Sequence, residues 1–198
     1  MRKLLVETQL SLDAFAADTD GSTDWAVWNW EENWTWDEAL RQHHTDLILS
    51  TDCILLSPKM TEGLVDYWAD VAKIADDPRA VFARHIVDTP KVLFHKTYEP
   101  EDLSPNFKNT TIVKTTVEEE VPKLKNRSSG NIIAWGGADF ISSLVAADLV
   151  DEYHLIVNPV VLGAGLPIFA KVKGRLDLKL DHATGYDCGV TLLKYTRK

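Results

Sequence analysis

One stretch, residues 131–157, constrains the fold of this chain more than any other. The apolar run from Ile132 to Trp135 predicts a buried strand. Gly136 and Gly137 interrupt this run, and apolar residues then recur at i,i+4 spacing, which predicts a helix. A second apolar run, from Tyr153 to Val157, predicts another strand. A strand, a glycine pair, a helix and a strand in this order indicate a parallel α/β unit.

The glycine pair has two interpretations. Glycines between a strand and a helix let a phosphate group approach the backbone, beside the N–H groups and partial positive charge of the helix start. On this interpretation a phosphate-bearing ligand, such as a nucleotide cofactor, lies over residues 136–139. The alternative is a tight turn that needs a positive φ, and an isolated glycine pair more often serves that purpose.

A second strand-to-helix junction follows the short apolar run 52–56. Ser57 suits a helix N-cap and Pro58 suits the first helical position, so a helix is predicted to begin there. Lys59 adds a positive charge and Ser57 adds a hydroxyl group. This junction is therefore a second candidate anion site, with simple capping as the alternative.

The remaining segments predict an α/β protein, with residues 1–198 forming a single three-layer α/β/α domain. Further strands are predicted over residues 4–12, 91–94 and 109–113. Helices are predicted over about 36–50, 58–72, 78–87 and 117–125 from capping residues and apolar spacing. Residues 176–180 and 188–195 predict an antiparallel hairpin joined across Gly185. The central sheet should be mostly parallel, with this hairpin at its C-terminal edge.

Composition excludes several classes of partner. The net charge of −9 argues against nucleic acid and against an anionic membrane surface. The chain has no apolar run long enough for a membrane span or a signal peptide. Cys53 and Cys188 lie far apart and show no metal spacing, which predicts reduced thiols in a cytoplasmic protein. A small molecule is the expected partner. Its six histidines show no ligand spacing, so no metal site is predicted. A serine hydrolase is also disfavoured because no Gly-x-Ser-x-Gly motif occurs.

Five of the seven tryptophans lie within twelve residues: Trp25, Trp28, Trp30, Trp34 and Trp36. Such a segment could form a wall or lid over a planar substrate, with the first three as candidate substrate contacts. It could equally be held against the core or a dimer interface by its large rings. A carbohydrate-binding surface is a third possibility.

Two adjacent histidines, His43 and His44, fall in the predicted helix over 36–50. Adjacent helical residues do not share a face. Both are interpreted as partly exposed helix residues rather than as ligands.

Several motifs occur in an order that resembles a known family. They are Ser11-Leu-Asp13, the turn at 56–62, Pro90-Lys91-Val92, Gly136-Gly137, Leu149-Val-Asp-Glu152 and the segment 159–169. The resemblance is to the reductase domain at the C-terminus of the bifunctional riboflavin biosynthesis enzyme, in the dihydrofolate reductase-like superfamily. It covers nearly the whole chain and is most specific over 131–169.

The resemblance implies that NADPH, with NADH as the alternative cofactor, lies along the carboxyl ends of the strands. The residues that it places beside the cofactor, from the nicotinamide to the adenosine and then the pyrophosphate, are Leu12, Ser57, Lys59, His95, Lys96, Thr97, Trp135, Gly136, Gly137, Ala138 and Asp139. Ser11 would contact the substrate, together with the tryptophan segment. Asp13 would be the catalytic residue, either by delivering a proton or by gripping the substrate.

The implied activity is reduction of a planar heterocyclic C=N or carbonyl group, as in 5-amino-6-(5-phosphoribosylamino)uracil reductase. The family also implies a homodimer. Four places differ from the family's usual sequence: Ser57-Pro58 replaces Gly-Arg, Ala14 replaces glycine, Trp135 replaces an acidic residue, and Glu7 replaces lysine. The first and third differences motivate an alternative, a non-catalytic pterin-, flavin- or nucleotide-binding protein with a degenerate cofactor site.

Overall fold

A mostly parallel sheet forms the middle of the fold in the computed structural model, which describes residues 2–27, 35–60, 63–127 and 130–198. Within these residues the strands are β1 (Leu4–Leu10), β2 (Phe15–Ala17), β3 (Thr51–Leu56), β4 (Lys91–Phe94), β5 (Thr110–Val113), β6 (Asn131–Trp135), β7 (Glu152–Val157), β8 (Leu166–Pro167), β9 (Leu178–Gly185) and β10 (Thr191–Arg197). The α-helices are α1 (Glu38–Leu49), α2 (Leu64–Val71), α3 (Ala80–Asp88), α4 (Val117–Lys125) and α5 (Ala138–Ala146).

The main sheet has the strand order β5-β4-β3-β6-β1-β7-β10-β9. Strands β5 to β7 in this order run parallel to their neighbours. Strand β10 runs antiparallel to both β7 and β9. The predicted α/β fold, with a mostly parallel sheet and a C-terminal antiparallel hairpin, is therefore confirmed.

Side-chain alternation along the strands produces three layers. On β1, Leu4 and Val6 pack into the core beneath α4 and α5, whereas Leu5 packs into the core beneath α2 and α3. Helix α5 contributes Ile141 and Leu144 at i,i+3 spacing to the first core. Burying each such side chain stabilises the fold by about 2 kcal/mol.

The second strand-to-helix junction differs from its prediction. A single 3-10 turn over Pro58–Met60 follows β3, and α2 begins only at Leu64, after Gly63 with φ +80°. Ser57 is therefore not the N-cap of α2. Its hydroxyl oxygen instead accepts a hydrogen bond of 3.3 Å from the N–H of Gly137, across the sheet edge.

Two other boundaries also differ from their predictions. Helix α1 has Asp37 as its N-cap residue, because the hydroxyl of Thr35 donates to the carbonyl of Val27 instead of capping the helix. The C-terminal hairpin turns across residues 186–190, where Gly189 has φ +90°. Gly185 is the last residue of β9 and pairs with Thr191 rather than forming the turn.

A small second sheet pairs β2 with β8 and was not predicted. It brings the glycine-containing segment 160–165 against the loop that follows β1. A Cβ atom on Gly165 would lie only 2.4 Å from the carbonyl oxygen of Ala17. Gly165 therefore lies against another part of the backbone, which leaves no room for a side chain there.

Candidate functional site

The candidate site lies where neighbouring parallel strands end. Strands β3, β6, β1 and β7 are adjacent in the sheet, and Leu56 is in register with Trp135. Because the strands are parallel, the residues that follow them leave the same edge side by side. The predicted junctions at Ser57 and Gly136 are therefore neighbours, as one ligand spanning both requires.

The two glycines of the pair are needed for different reasons. A Cβ atom on Gly136 would lie 2.5 Å from Cδ1 of Phe140 and 3.0 Å from Cβ of Ser57, so packing excludes a side chain there. At Gly137 the nearest atom to an added Cβ is Cδ of Lys59, at an ordinary contact distance of 3.5 Å. Packing therefore does not explain the second glycine.

Backbone conformation does not explain the glycine pair either. Gly137 has φ −64° and ψ 161° and is the N-cap residue of α5, a conformation open to any residue. Gly136 is not among the glycines with positive φ. The tight-turn interpretation is therefore wrong. The absence of a side chain at Gly137 leaves its backbone open to a ligand at the start of α5.

Two lysines lie beside this helix start. Lys59 is exposed, and its side chain runs past Gly137 towards Gly21, where an added Cβ would be 3.7 Å from its Nζ. Lys171 forms an ion pair of 2.7 Å with Asp139 in the first turn of α5. Lys59 was predicted from the sequence, whereas Lys171 was not, because it is 32 residues away from Asp139 in the chain.

The remaining residue of the predicted pyrophosphate group, Ala138, is buried as the first residue of α5. Trp135 is half-buried at the end of β6 and packs against the core on the α2 side. The side chain of Ala138 is therefore packed away from a ligand at the helix start, whereas that of Trp135 is partly accessible.

The predicted ribose-binding residues follow β4, the strand next to β3. The ring of His95 stacks on that of Tyr98, with centroids 3.7 Å apart. Nδ1 of His95 accepts hydrogen bonds from the N–H groups of Thr97 and Tyr98, at 3.3 and 3.1 Å. Lys96 and Thr97 are exposed. The sequence-predicted residues 95–97 thus form a fixed turn at the same sheet edge as Ser57.

The loop after β1 is held by Asp13. Its Oδ1 accepts hydrogen bonds from the hydroxyl of Ser11 at 2.7 Å and from the N–H of Leu162 at 3.1 Å. Its Oδ2 accepts from the N–H of Gly163 at 2.7 Å. The hydrogen bond from Ser11, supported by the two backbone bonds and opposed by desolvation, holds the pKa of Asp13 below its usual value. These contacts favour a loop-fixing role for Asp13 over the proton donation expected from the sequence.

Ser11 and Leu12 differ sharply in exposure. Ser11 is buried, and its hydroxyl also accepts a hydrogen bond of 3.0 Å from the N–H of Phe15. The side chain of Leu12 is 67% exposed, and its N–H donates to the carbonyl of Val160 at 2.7 Å. The side chain of Leu12 can therefore contact a ligand, whereas the buried Ser11 stabilises the conformation of the loop. Ala14, two residues after Leu12, has φ +67°, where glycine is the easier residue.

The tryptophan segment is attached to the sheet at its two ends. Asn158, directly after β7, accepts a hydrogen bond of 2.7 Å from the N–H of Val27 through its Oδ1. Its Nδ2 donates to Oε1 of Gln9 at 3.0 Å. Trp25 is half-buried, and Trp36 is 2% exposed in a core cluster. For Trp36 the core interpretation is confirmed.

Trp28, Trp30 and Trp34 lie outside the described residues, so their predicted role as a substrate wall stays a prediction.

A buried polar cluster on the α1 side of the sheet was missed. Glu7 of β1 contacts His44 of α1, with Oε2 and Nδ1 2.7 Å apart, and both side chains are buried. His43 Nε2 lies 3.2 Å from Nδ1 of His154 on β7. The interpretation of His44 as partly exposed is wrong, because it packs between Trp36 and Phe82. The alternation Leu5, Glu7, Gln9 on β1 could have signalled a carboxylate on a covered face.

Within the described ranges, no group of three or more His, Cys, Asp and Glu residues is arranged to hold a metal ion. In the same part of the chain, no helix is both long enough and apolar enough to cross a membrane.

The fold and the shared strand edge define an α/β protein of the dihydrofolate reductase-like type. The family model of the RibD C-terminal domain matches residues 2–192, and the chain belongs to this family.

Among similar proteins, uncharacterized protein YyaP of Bacillus subtilis (strain 168) is 29% identical over 196 residues, which cover 98% of this chain and 94% of YyaP. A crystal structure of a proposed riboflavin biosynthesis protein from Shewanella sp. PV-4 superposes with a TM-score of 0.70 at 20% identity, covering 99% of each chain. The diaminohydroxyphosphoribosylaminopyrimidine deaminase/5-amino-6-(5-phosphoribosylamino)uracil reductase of Thermotoga maritima gives 0.67 at 15% identity. This chain spans 57% of that bifunctional protein. At these identities the two structures show the fold alone.

Proposed function

We propose that this chain is an NADPH-dependent reductase of a planar heterocyclic substrate, of the riboflavin-biosynthesis type. The observation that carries the proposal is Gly137, whose missing side chain neither packing nor backbone conformation requires. A phosphate group needs this bare backbone in order to reach the first N–H groups of α5. Family membership supports the same ligand, because the Thermotoga relative of this fold is named as a reductase.

The residues along the sheet edge fit an elongated dinucleotide. Gly137 and the start of α5 would hold the pyrophosphate, with Lys59 and Lys171 supplying positive charge. Ser57 and the turn at 95–97 would lie towards the adenosine, and Leu12 would lie against the nicotinamide. A nicotinamide cofactor supplies a hydride when bound. The chain's own part is to orient the two reacting rings and to exclude water.

The finer points of the proposal rest on the family resemblance. Residues 1–198 would act as one domain, in a cytoplasmic homodimer. The substrate would be a pyrimidine or a related heterocycle, such as the 5-amino-6-(5-phosphoribosylamino)uracil named for the Thermotoga protein. The altered residues Pro58 and Trp135 leave room for the alternative, a binding protein of the same fold that holds a pterin or flavin without reducing it.

The test is a titration of the purified protein with NADPH and NADH, followed by tryptophan fluorescence. We expect NADPH to bind in the micromolar range, and Gly137→Ala to weaken binding at least tenfold, about 1.4 kcal/mol. Gly174→Ala is the matched control, because an added Cβ there meets nothing within 4 Å.

Absence of NADPH binding below millimolar concentration would contradict the proposal, as would an unchanged affinity in Gly137→Ala. The alternative function predicts quenching by pterins or flavins without oxidation of NADPH. Consumption of NADPH with a heterocyclic substrate would reject that alternative.

A further inference from the structure

The buried cluster next to the candidate site contains a carboxylate with an unused oxygen. The side chain of Glu7 is 4% exposed and that of His44 is 1% exposed. Oε2 of Glu7 contacts Nδ1 of His44, whereas Oε1 is buried and has no hydrogen-bond partner among the described residues. A buried polar atom without a partner is costly and needs an explanation.

The cluster lies at the level of the glycine pair. Val6 is in register with Ala134, so one residue further along both strands Glu7 neighbours Trp135, the last residue of β6. On its other side Glu7 is in register with His154 of β7. The row of residues that ends at Trp135, directly before Gly136, therefore continues across β1 through Glu7.

Other charged and titratable groups contact this buried cluster. They are Lys3 just before β1, His43 and Asp46 on α1, Glu152 and His154 on β7, and Lys194 on β10. Burial lowers the pKa of both His43 and His154, against the opposing effect of Glu7, so these two rings are neutral near pH 7.

The two neutral histidines connect α1 with the buried carboxylate of Glu152 on β7. His43 Nε2 and His154 Nδ1 share one proton across 3.2 Å, and Nε2 of His154 lies 3.5 Å from Oε1 of Glu152. Burial alone would raise the pKa of Glu152, but the hydrogen bond from Lys3 and the positive charges of Lys194 and Lys3 lower it overall. Glu152 is thus held as an anion beside His154.

We propose that Glu7, paired with His44, is the internal proton donor of the reductase, offering Oε1 to the substrate at the row that ends in Trp135. The inference rests on the proposed function, because the reduction is what consumes the proton. It supplies a donor that Asp13 does not, since three hydrogen bonds already hold the Asp13 carboxylate in its charged form.

The proposed step balances in atoms and electrons. When bound, a dihydronicotinamide cofactor would supply a hydride to the carbon of a substrate C=N group, so that a C–H bond forms and the π electrons move to nitrogen. The O–H bond of Glu7 breaks, its electron pair stays on the carboxylate, and the nitrogen gains an N–H bond. His44 stabilises the resulting anion, and a proton from water restores the acid.

The test compares the oxidised and reduced cofactors, and it needs no substrate. The nicotinamide ring of NADP⁺ is positively charged, so its binding should favour the deprotonated, negatively charged form of Glu7. The nicotinamide ring of NADPH is neutral and should leave Glu7 protonated. Calorimetric titrations in buffers of different ionisation enthalpy count the protons that binding releases, at about pH 6, 7 and 8. We expect NADP⁺ to release up to about one proton more than NADPH does.

The variant Glu7→Gln keeps the side-chain volume and should abolish this difference while both cofactors still bind. His85→Gln, on α3 and outside the cluster, is the matched control and should behave as wild type. Equal proton release by the two cofactors in the wild type overturns the inference and leaves the proposed function standing. An unchanged difference in Glu7→Gln also overturns it. If neither cofactor binds the wild type, both proposals fall together.

Discussion

At the scale of single residues, two adjacent glycines illustrate two different constraints. At Gly136, Phe140 and Ser57 leave no space for a side chain, whereas the nearest neighbour at Gly137 is the flexible side chain of Lys59. A sequence shows only that both residues are glycine. The structural surroundings separate a packing requirement from an opening for a ligand.

We therefore predict opposite profiles for the two alanine variants. Gly136→Ala forces Phe140 and Ser57 to move, which should lower the free energy of unfolding by about 1–3 kcal/mol. Gly137→Ala should lower it by less than about 1 kcal/mol, as expected for a change at an N-cap position. Urea unfolding measures both values. Equal losses of stability in the two variants would contradict this assignment.

Lys91 gives a second residue-scale prediction. It is 1% exposed and donates hydrogen bonds to the carbonyl oxygens of Val87 and Thr89, at 2.9 and 2.8 Å. Burial, partly opposed by the charge of Asp88, lowers the pKa of Lys91 from 10.5 to about 8. The unfolded chain thus holds more protons than the folded chain between these values, so stability should rise with pH in that window.

Between about pH 8 and 10 the expected contribution of Lys91 to the free energy of unfolding is a rise of up to about 2 kcal/mol. Above that range the signal is opposed by Tyr153, because burial raises its pKa to about 12. The measurement is urea unfolding at both ends of the window, with Lys91→Met as the comparison. The variant should lack the rise, and an identical pH dependence in both proteins would count against the prediction.

At the residue scale, the sequence predicted that Ser57, Gly136 and Gly137 share one site. The structure places the three residues together at one sheet edge, and their common ligand stays a prediction. Glu7 and His44 were missed because their contact joins residues 37 positions apart in the chain. Nothing in the local sequence states that α1 covers that part of β1.

At the scale of elements, the loop after β1 and the segment before β8 are joined mainly through one carboxylate. The carboxylate of Asp13 accepts hydrogen bonds from the N–H groups of Leu162 and Gly163. Strand β2, which follows the Asp13 loop, pairs with β8. These contacts fix the loop that carries the exposed Leu12.

Replacing this carboxylate should loosen the contact between the two segments. In Asp13→Asn we expect faster hydrogen exchange at the amides of Leu162 and Gly163, measured by NMR or mass spectrometry. Because the folded-state pKa of Asp13 is lowered, its contribution to stability is present above the usual carboxyl range and is lost as pH falls through the folded value. The wild type should therefore approach the variant's exchange behaviour only in acid.

Asp20→Asn is the control for this experiment, because among the described residues Asp20 accepts a hydrogen bond within its own turn, from the N–H of Ser22. Unchanged protection at residues 162 and 163 in Asp13→Asn would contradict the role assigned to Asp13.

Elements with strong local signals were predicted closely. The predicted helix over 117–125 is α4, with glutamates in its first turn and lysines in its last. The prediction of a helix that begins at Pro58 was wrong, because capping residues also suit a 3-10 turn. The backbone then changes direction at Gly63, and α2 begins at Leu64. The small β2–β8 sheet was missed, since its strands of three and two residues carry no periodic pattern.

At the scale of the whole molecule, strand order rather than any single motif creates the candidate site. The order β3-β6-β1-β7 brings together four strand ends that are far apart in the chain. The alternation of strands and helices, and with it a mostly parallel sheet, could be predicted from the sequence. Which strands lie next to each other could be expected only from the family resemblance. The net charge of −9 then leaves Lys59 and Lys171 as local cations at the phosphate side of the site.

The most direct measurement of the central claim is a crystal structure of the protein with NADPH bound. The account predicts one continuous ligand crossing the ends of β3, β6 and β1, with its pyrophosphate over Gly137 and its nicotinamide ring beside Leu12 and the row that contains Glu7. A dinucleotide bound elsewhere, or strand ends at Ser57 and Gly137 still covered by Lys59 in saturating NADPH, would contradict it.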